Sequence, residues 1–445
     1  MRHAVRDHVR NPVKLALDSR ATLSVAVPLG ESAHRLRRVV ITGVGCVTPC
    51  GTGVQETWDA VVAGRSGTKS IVSFDTSGFA SRVAGEILDF RPEDFLARRE
   101  VQAFSRYLHF GVAAARMAWD DAGGPKALAA DRVGVCIGSA VGAIQRNVLD
   151  GLVFAERGIE RVHPMCPLQY PGSLPSEVAI ALGLHGPAYS ISTACTAGAD
   201  AAGLAFAQIA SGLLDAALVG GSDAPIFPLL FAAFDRLQVI SRLNDPPERA
   251  SRPFSRDRAG FVLSEGAGVL LLEAEEIARE RGARIYAELA GFGATSDAFH
   301  HLQPAPDGAQ GVRAVQLALA HAGLEPDAID YVNAHGTSTM KNDAAETLIL
   351  KKIFGERSSR IPISSSKSML GHMIGASAAV ELIISALAVH HGTVPPTINV
   401  SEPDPECDLD YVTHGAREMP LRAVLSTSFG FGSRNAALVV RACHE

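Results

Sequence analysis

Paired cysteines are missing from this 445-residue chain. Its seven cysteines, at 46, 50, 136, 166, 195, 407 and 443, follow no disulfide framework and include no CxxC motif. That pattern excludes a stapled secreted scaffold and offers no zinc or dithiol redox site, so no metal and no cofactor is expected, and a reducing cytoplasm suits the chain. An excess of positive charge is also missing. With 41 Lys and Arg against 47 Asp and Glu, the formal net charge of -6 argues against nucleic acid as a partner. The opening "MRHAVRDHVRNPVKLALDSR" has no apolar core of the length a secretory signal needs, and residues 1–36 read as a loosely attached N-terminal arm. Its arginines would also suit an organellar leader, which Asp7, Asp18 and Glu31 oppose. Long apolar runs are scarce as well. The run "MIGASAAVELIISALAV" (373–389) stops short of the roughly 20 residues of a membrane span and contains Glu381, so it is expected to be a helix buried in protein, with no membrane span.

What the chain does have is a 47% hydrophobic content, enough for a large core, and an order of elements that occurs twice. From "VVITGVG" (39–45) the pattern passes through helical "FGVAAARMAWDDAG", then "RVGVCIGSA", "PSEVAIALG", "AYSISTA", a small-residue helix, "DAALVGGSD" and "GVLLLEA". From "AELAGFG" (287–293) it passes through "GVRAVQLALAHAG", "IDYVNAHG", "DAAETLILKKIF", "IPISSS", the apolar helix, "AVLSTSFGFG" and "AALVVRA". Both stretches read β-α-β-α-β-α-β-β. Short apolar runs alternating with helices predict mostly parallel strands covered on both faces, hence a duplicated, layered α/β architecture with halves at 37–285 and 286–445.

Four strand ends combine glycine with polar or reactive residues: "TACTAG" at 193, "AHGTST" at 334, "SSSKSMLGHMIGA" at 364 and "STSFGFGSRN" at 426. Cys195 is predicted at the N-terminus of a helix running to about Ser211, where the dipole favours a thiolate and lowers its pKa. A core cysteine is the competing reading. His335 ends a strand and is followed by Thr337 and Thr339, whose hydroxyls suit a polar linear ligand; a loop histidine bonded to backbone is the alternative. Asp343 and Glu346 have the spacing of a helix-start capping arrangement and read as structural support. Lys367 and His372 flank a glycine, and Glu346 is the expected acidic partner of Lys367. A thiol with two histidines fits thioester chemistry, in which the sulfur accepts an acyl group and imidazole N–H groups stabilise an enolate. The backbone N–H groups of Cys195 and of the "GFG" turn, at Phe431, supply a candidate oxyanion hole.

In order and spacing, "TACTAG", "HGTST", "KSMLGH" and "SFGFG" resemble the beta-ketoacyl-[acyl-carrier-protein] synthase II family, the condensing enzymes of type II fatty-acid and polyketide synthesis. The likeness runs from about Arg38 to Ala442 and includes "FDTSGFASRVAGEI", "SRPF" and "VPPTINVSEPDPECDLDYV". It implies a thiolase-like α/β/α/β/α fold, a homodimer or a heterodimer with a similar subunit, and an acyl carrier protein as partner, whose phosphopantetheine arm carries the substrates. Carried over, Cys195 is the acyl acceptor, His335 and His372 support decarboxylation and condensation, and Lys367 organises the site. Thr337 and Thr339 match positions that bind phosphopantetheine, Phe431 matches the gate, and Arg82, Arg98 and Arg99 fall where relatives dock the carrier. Several positions depart from the family pattern. Ser433 and Arg434 replace Gly and Thr of a usual GFGGTN, Ser255 and Ala259 replace aspartates, and Met340 stands where proline is frequent. A thiolase acting on coenzyme A thioesters is the rival enzyme, and it would need a second cysteine in the C-terminal glycine turn, where "STSFGFGSRN" has none.

Overall fold

The computed structural model describes residues 36–168 and 170–443. The arm expected over 1–36 lies, up to residue 35, outside the described residues. The first half runs β1 (Val39–Thr48), α1 (Arg106–Asp121), β2 (Val133–Gly138), α2 (Ser173–Leu182), β3 (Ala188–Ile191), α3 (Ala197–Ala210), β4 (Ala216–Asp223) and β5 (Gly266–Ala274). The second runs β6 (Ala287–Ser296), α4 (Ala309–Ala322), β7 (Tyr331–Asn333), α5 (Met340–Phe354), β8 (Ile363–Ser364), α6 (Ser377–His391), β9 (Ala423–Gly430) and β10 (Arg434–Arg441). Strand order is β1-β5-β4-β2-β3 in one half and β6-β10-β9-β7-β8 in the other. The duplication read from the pattern is therefore a duplication of topology, but the strands are not mostly parallel. β1-β5-β4 and β6-β10-β9 pair antiparallel, and only β4-β2-β3 and β9-β7-β8 pair parallel, because buried apolar runs do not encode strand direction and the short turn between β9 and β10 forces a reversal. β1 and β6 pair antiparallel, Val39 opposite Leu289 and Ile41 opposite Ala287, and join the two sheets edge to edge.

Glycine explains why the same helix settles on the same strand twice. A Cβ on Gly45 of β1 would stand 2.2 Å from the Ala114 carbonyl of α1, and one on Gly293 of β6 would stand 2.1 Å from the Ala314 carbonyl of α4. Any side chain there would lift the helix off the sheet. Between the halves lie α3 and α6, each packed on strands of both. Residues Ser377 to Val389 of α6 are buried without a break, so the apolar run that approaches membrane-span length covers its hydrophobicity inside the protein. The alanines and glycines of α3 have a matching purpose. A Cβ on Gly198 would meet the Ala379 amide nitrogen of α6 at 2.8 Å, so only a bare backbone lets the two central helices cross there. Gly198→Ala is expected to cost about 1–3 kcal/mol as this overpacking pushes the helices apart. The urea midpoint of the variant reads that loss, and an unchanged midpoint would show that the crossing is loose.

Candidate active site

Cys195 follows β3 on a short 3-10 turn, Ala194–Thr196, that runs directly into α3. Ala194 holds a φ of +56°, a left-handed conformation that a non-glycine residue adopts at local strain. Asp200, one helical turn on, accepts the hydroxyls of Thr193 (2.6 Å) and Thr196 (2.8 Å) and locks the bend. The second half repeats the device without the thiol: Ile374, at φ +50°, opens a 3-10 turn, Ile374–Ala376, that leads into α6, and Gly375 stands where Cys195 stands in the first. Buried Asp223, at the end of β4, accepts the Gly375 N–H at 2.7 Å, those of Ala140 and Val141 at 3.0 Å, and the Ser139 hydroxyl at 2.7 Å.

The four glycine-bearing strand ends converge on one cavity of about 650 Å³, lined by Cys195, His335, His372, Thr337, Thr339 and Phe431 together with a mostly apolar wall. His372 Nε2 lies 3.1 Å from Cys195 Sγ, and the rings of His335 and His372 meet edge to face at 5.4 Å. The Phe431 backbone N–H favours the thiolate form of Cys195. Thr337 and Thr339 share a hydrogen bond of 3.0 Å on the opposite wall.

Hydrogen bonding fixes what each imidazole offers. Lys367 Nζ is 3.3 Å from His335 Nδ1, and an ammonium has only protons to give, so Nδ1 accepts and the ring proton sits on Nε2. Ser377 Oγ accepts the Met373 N–H at 2.9 Å, leaving its own proton free for His372 Nδ1, also at 2.9 Å. The tautomers, assigned from this network, turn two Nε2–H donors toward the cavity. Burial first, then the Lys367 charge, hold both histidines well below the usual imidazole range, so both are neutral across physiological pH.

Three expectations need correction. Lys367 does not pair with Glu346; it forms a buried ion pair with Glu381 of α6. Glu346 instead accepts the N–H groups of His335 and Gly336, each at 2.8 Å, and the Thr427 hydroxyl at 2.6 Å, so it holds the backbone that carries His335. Nor do Asp343 and Glu346 cap α5, whose first residue is preceded by Thr339. Asp343 turns inward to the Phe254 N–H at 2.9 Å and to buried Arg258 at 3.4 Å, and Arg258 in turn holds the Thr339 and Met340 carbonyls at 3.2 and 2.9 Å. Finally, the Cys195 thiol is not lowered. Burial pushes it up to about 11 against the opposing pull of Lys367 and the Phe431 N–H. Alkylation of Cys195 by iodoacetamide is therefore expected to speed up by close to tenfold per pH unit from about pH 7 to about 9.5, since only the thiolate reacts. A plateau near neutrality would mean a stable thiolate–imidazolium pair.

Arg82, Arg98 and Arg99 are exposed, and none lines the cavity. Pattern reading missed Asp223, Ser377 and the role of Glu381; an acid ending "GGSD" and a serine five residues after His372 were the available signals. The thiol and the two imidazoles place one ligand atom each within 4.8 Å of one another, a donor set that soft divalent metals accept. The Lys367 ammonium beside His335 opposes a cation there.

A thiol, two imidazole donors and backbone N–H groups at the centre of a duplicated α/β frame define a thiolase-like condensing enzyme. The chain belongs to the beta-ketoacyl synthase family: residues 36–278 match the model of the beta-ketoacyl synthase N-terminal domain, and 286–401 that of the C-terminal domain. It is an acyltransferase of that type. It is 42% identical over 407 residues to 3-oxoacyl-[acyl-carrier-protein] synthase 2 of Synechocystis sp., covering 91% of this chain and 98% of the relative. Among solved structures it resembles the ishigamide ketosynthase/chain length factor (TM-score 0.85, 37% identity, 92% of this chain and 100% of that one). It also resembles a type II polyketide ketosynthase bound to a hexaketide in complex with its acyl carrier protein (TM-score 0.84, 35% identity, 92% and 100%).

Proposed function

We propose that this ketosynthase works by a ping-pong cycle in which Cys195 takes an acyl group from the phosphopantetheine arm of an acyl carrier protein and passes it to the carbon of a decarboxylated malonyl carrier. The observation that carries this reading is the pair of neutral Nε2–H donors facing the same cavity as the thiol. In loading, Cys195 Sγ attacks the thioester carbonyl and the carrier sulfur leaves. The thiol proton passes to the departing carrier sulfur, while the Nε2–H of His372, 3.1 Å from Sγ, steadies the negative charge that develops there. In extension, the malonyl C–C bond breaks, carbon dioxide leaves, and the electron pair becomes an enolate whose oxygen accepts from His335 and His372. The enolate carbon then attacks the acyl-cysteine carbonyl. The Cys195 and Phe431 N–H groups hold the tetrahedral oxyanion until the C–S bond breaks and the Cys195 thiolate takes a proton from solvent water.

Lys367, charge-paired with Glu381, fixes His335 in the donor tautomer, and Thr337 and Thr339 line the path of the pantetheine arm. Phe431, packed with Phe234, Phe261 and Ile374, serves as the gate. Exposed Arg98 and Arg99, with Arg82, belong to the surface that meets the acidic carrier. The halves 37–285 and 286–445 share this single site.

The partner across the dimer is another copy or a similar subunit lacking the cysteine, the second favoured by the likeness to the ishigamide ketosynthase/chain length factor. β3 ends the continuous sheet with an open edge, and Leu149, Leu152, Phe154 and Ile159 are exposed on the helix Ile144–Arg157 and just beyond it, a surface that suits such pairing. The test is release of labelled carbon dioxide from malonyl carrier and the product profile with acyl primers of several lengths. Absence of release by the parent protein, alone and with a co-expressed partner, would overturn the reading.

A further inference from the structure

Arg434 is a cation on the wall of the catalytic cavity that touches no carboxylate among the described residues. It opens β10 directly opposite Gly430, and a Cβ on Gly430 would lie 3.5 Å from Arg434 Cβ and 3.3 Å from the Cys195 amide nitrogen. Its Cβ therefore lies across Gly430 from the Cys195 backbone, its Nε lies 3.4 Å from where a Cβ on Gly432 would stand, and the residue lines the cavity half-buried. Among the described residues its guanidinium forms no ion pair. Asp200 acts on Arg434 from beyond contact distance and spends its hydrogen bonds on the hydroxyls of Thr193 and Thr196, while Asp297 accepts the Asn435 amide at 2.8 Å and the Ala305 N–H at 3.0 Å.

The charge that acts on the sulfur from the far side is Lys367, held behind His335 and paired with Glu381; both histidines are neutral, and Lys341, which also lines the cavity, is exposed. Ala259, on the same cavity, brings no charge of its own. A half-buried guanidinium with free planar donors selects a carboxylate over any neutral oxygen.

We infer that Arg434 binds the carboxylate of the extender unit and so concentrates malonyl carrier at the acylated site. This rests on the ketosynthase reading above, which supplies the carboxylate. Because that charge leaves with carbon dioxide, the attraction belongs mainly to the bound ground state and acts on KM more than on kcat. Arg434 makes no bond to the reacting carbon and passes no proton.

The test compares the parent protein with R434T and R434K in two assays: steady-state carbon dioxide release against malonyl carrier concentration, and single-turnover loading of Cys195 from a neutral acyl carrier. R434T is expected to raise KM for malonyl carrier about tenfold with a smaller change in kcat, to alter loading by less than about twofold, and to be partly rescued in R434K, which keeps the charge. An unchanged KM, an equal loss in loading, or R434K behaving as R434T would overturn the assignment. The ketosynthase reading falls separately, if the parent protein neither loads an acyl group nor releases carbon dioxide.

Discussion

Cys195→Ala is expected to abolish acyl loading, lowering condensation by more than about a thousandfold, while malonyl decarboxylation persists because both imidazole donors remain. Other cysteines cannot substitute. Cys46 and Cys136 are buried, with thiols pushed up to about 12 by burial, and neither they nor Cys50 lines the cavity. Intact mass after incubation with an acyl carrier protein reads the outcome directly. The parent gains one acyl group and the alanine variant none, and an acylated variant would place the nucleophile elsewhere.

The second large effect concerns the buried ion pair. Glu381→Ala strips Lys367 of its counter-charge in a site where both side chains are about 2% exposed, and loss of one partner from such a pair costs about 3–5 kcal/mol. Activity should fall with stability, because an uncompensated ammonium loses its proton or its place beside His335 Nδ1, and the donor tautomer is no longer fixed. Lys367→Met combined with Glu381→Leu separates the two effects. The double variant is expected to regain most of the lost stability, since a hydrophobic replacement of a buried pair is close to neutral, but not the carbon dioxide release. Glu346→Gln, by contrast, leaves Lys367 paired. If Glu346→Gln disturbed the lysine as strongly as Glu381→Ala, the pairing described above would be wrong.

The frame was legible in the sequence because strands covered on both faces and their helices leave periodic apolar runs, but those runs do not encode strand direction, and the expected mostly parallel pairing was wrong. The glycine pairs of β1 and β6 even mark the same helix contact twice. Cys195, His335 and His372 were legible for a related reason, since reactive residues beside glycine at strand ends point at one face of the sheet. The partner of Lys367 was not. Glu346 and Glu381 lie on different helices, and the facing of α6 that brings Glu381 to the lysine is set by packing across both halves, which one-dimensional spacing does not encode. The thiol was misjudged because the helix-end argument counts a favourable dipole without the desolvation of a closed cavity, and burial wins. Asp343 and Glu346 carried the spacing of a surface cap yet face inward, a difference made by Arg258 and the His335 backbone. Arg82, Arg98 and Arg99 lie away from the cavity, so whatever they recognise meets the outside of the protein.

The duplicated bend at Ile374 leaves the molecule with a second seat for a nucleophile that has been permanently plugged. A Cβ on Gly375 would stand 2.6 Å from Asp223 Oδ2 and 2.8 Å from the Ala140 nitrogen, so no side chain, reactive or otherwise, can enter that position while Asp223 holds it. One of two nearly equivalent helix ends is thus filled by an acid of the protein itself, and the other opens on the cavity. The repeat keeps its symmetry of backbone while losing its symmetry of access, and exchanging Gly375 for cysteine would disrupt the core before it created a rival site.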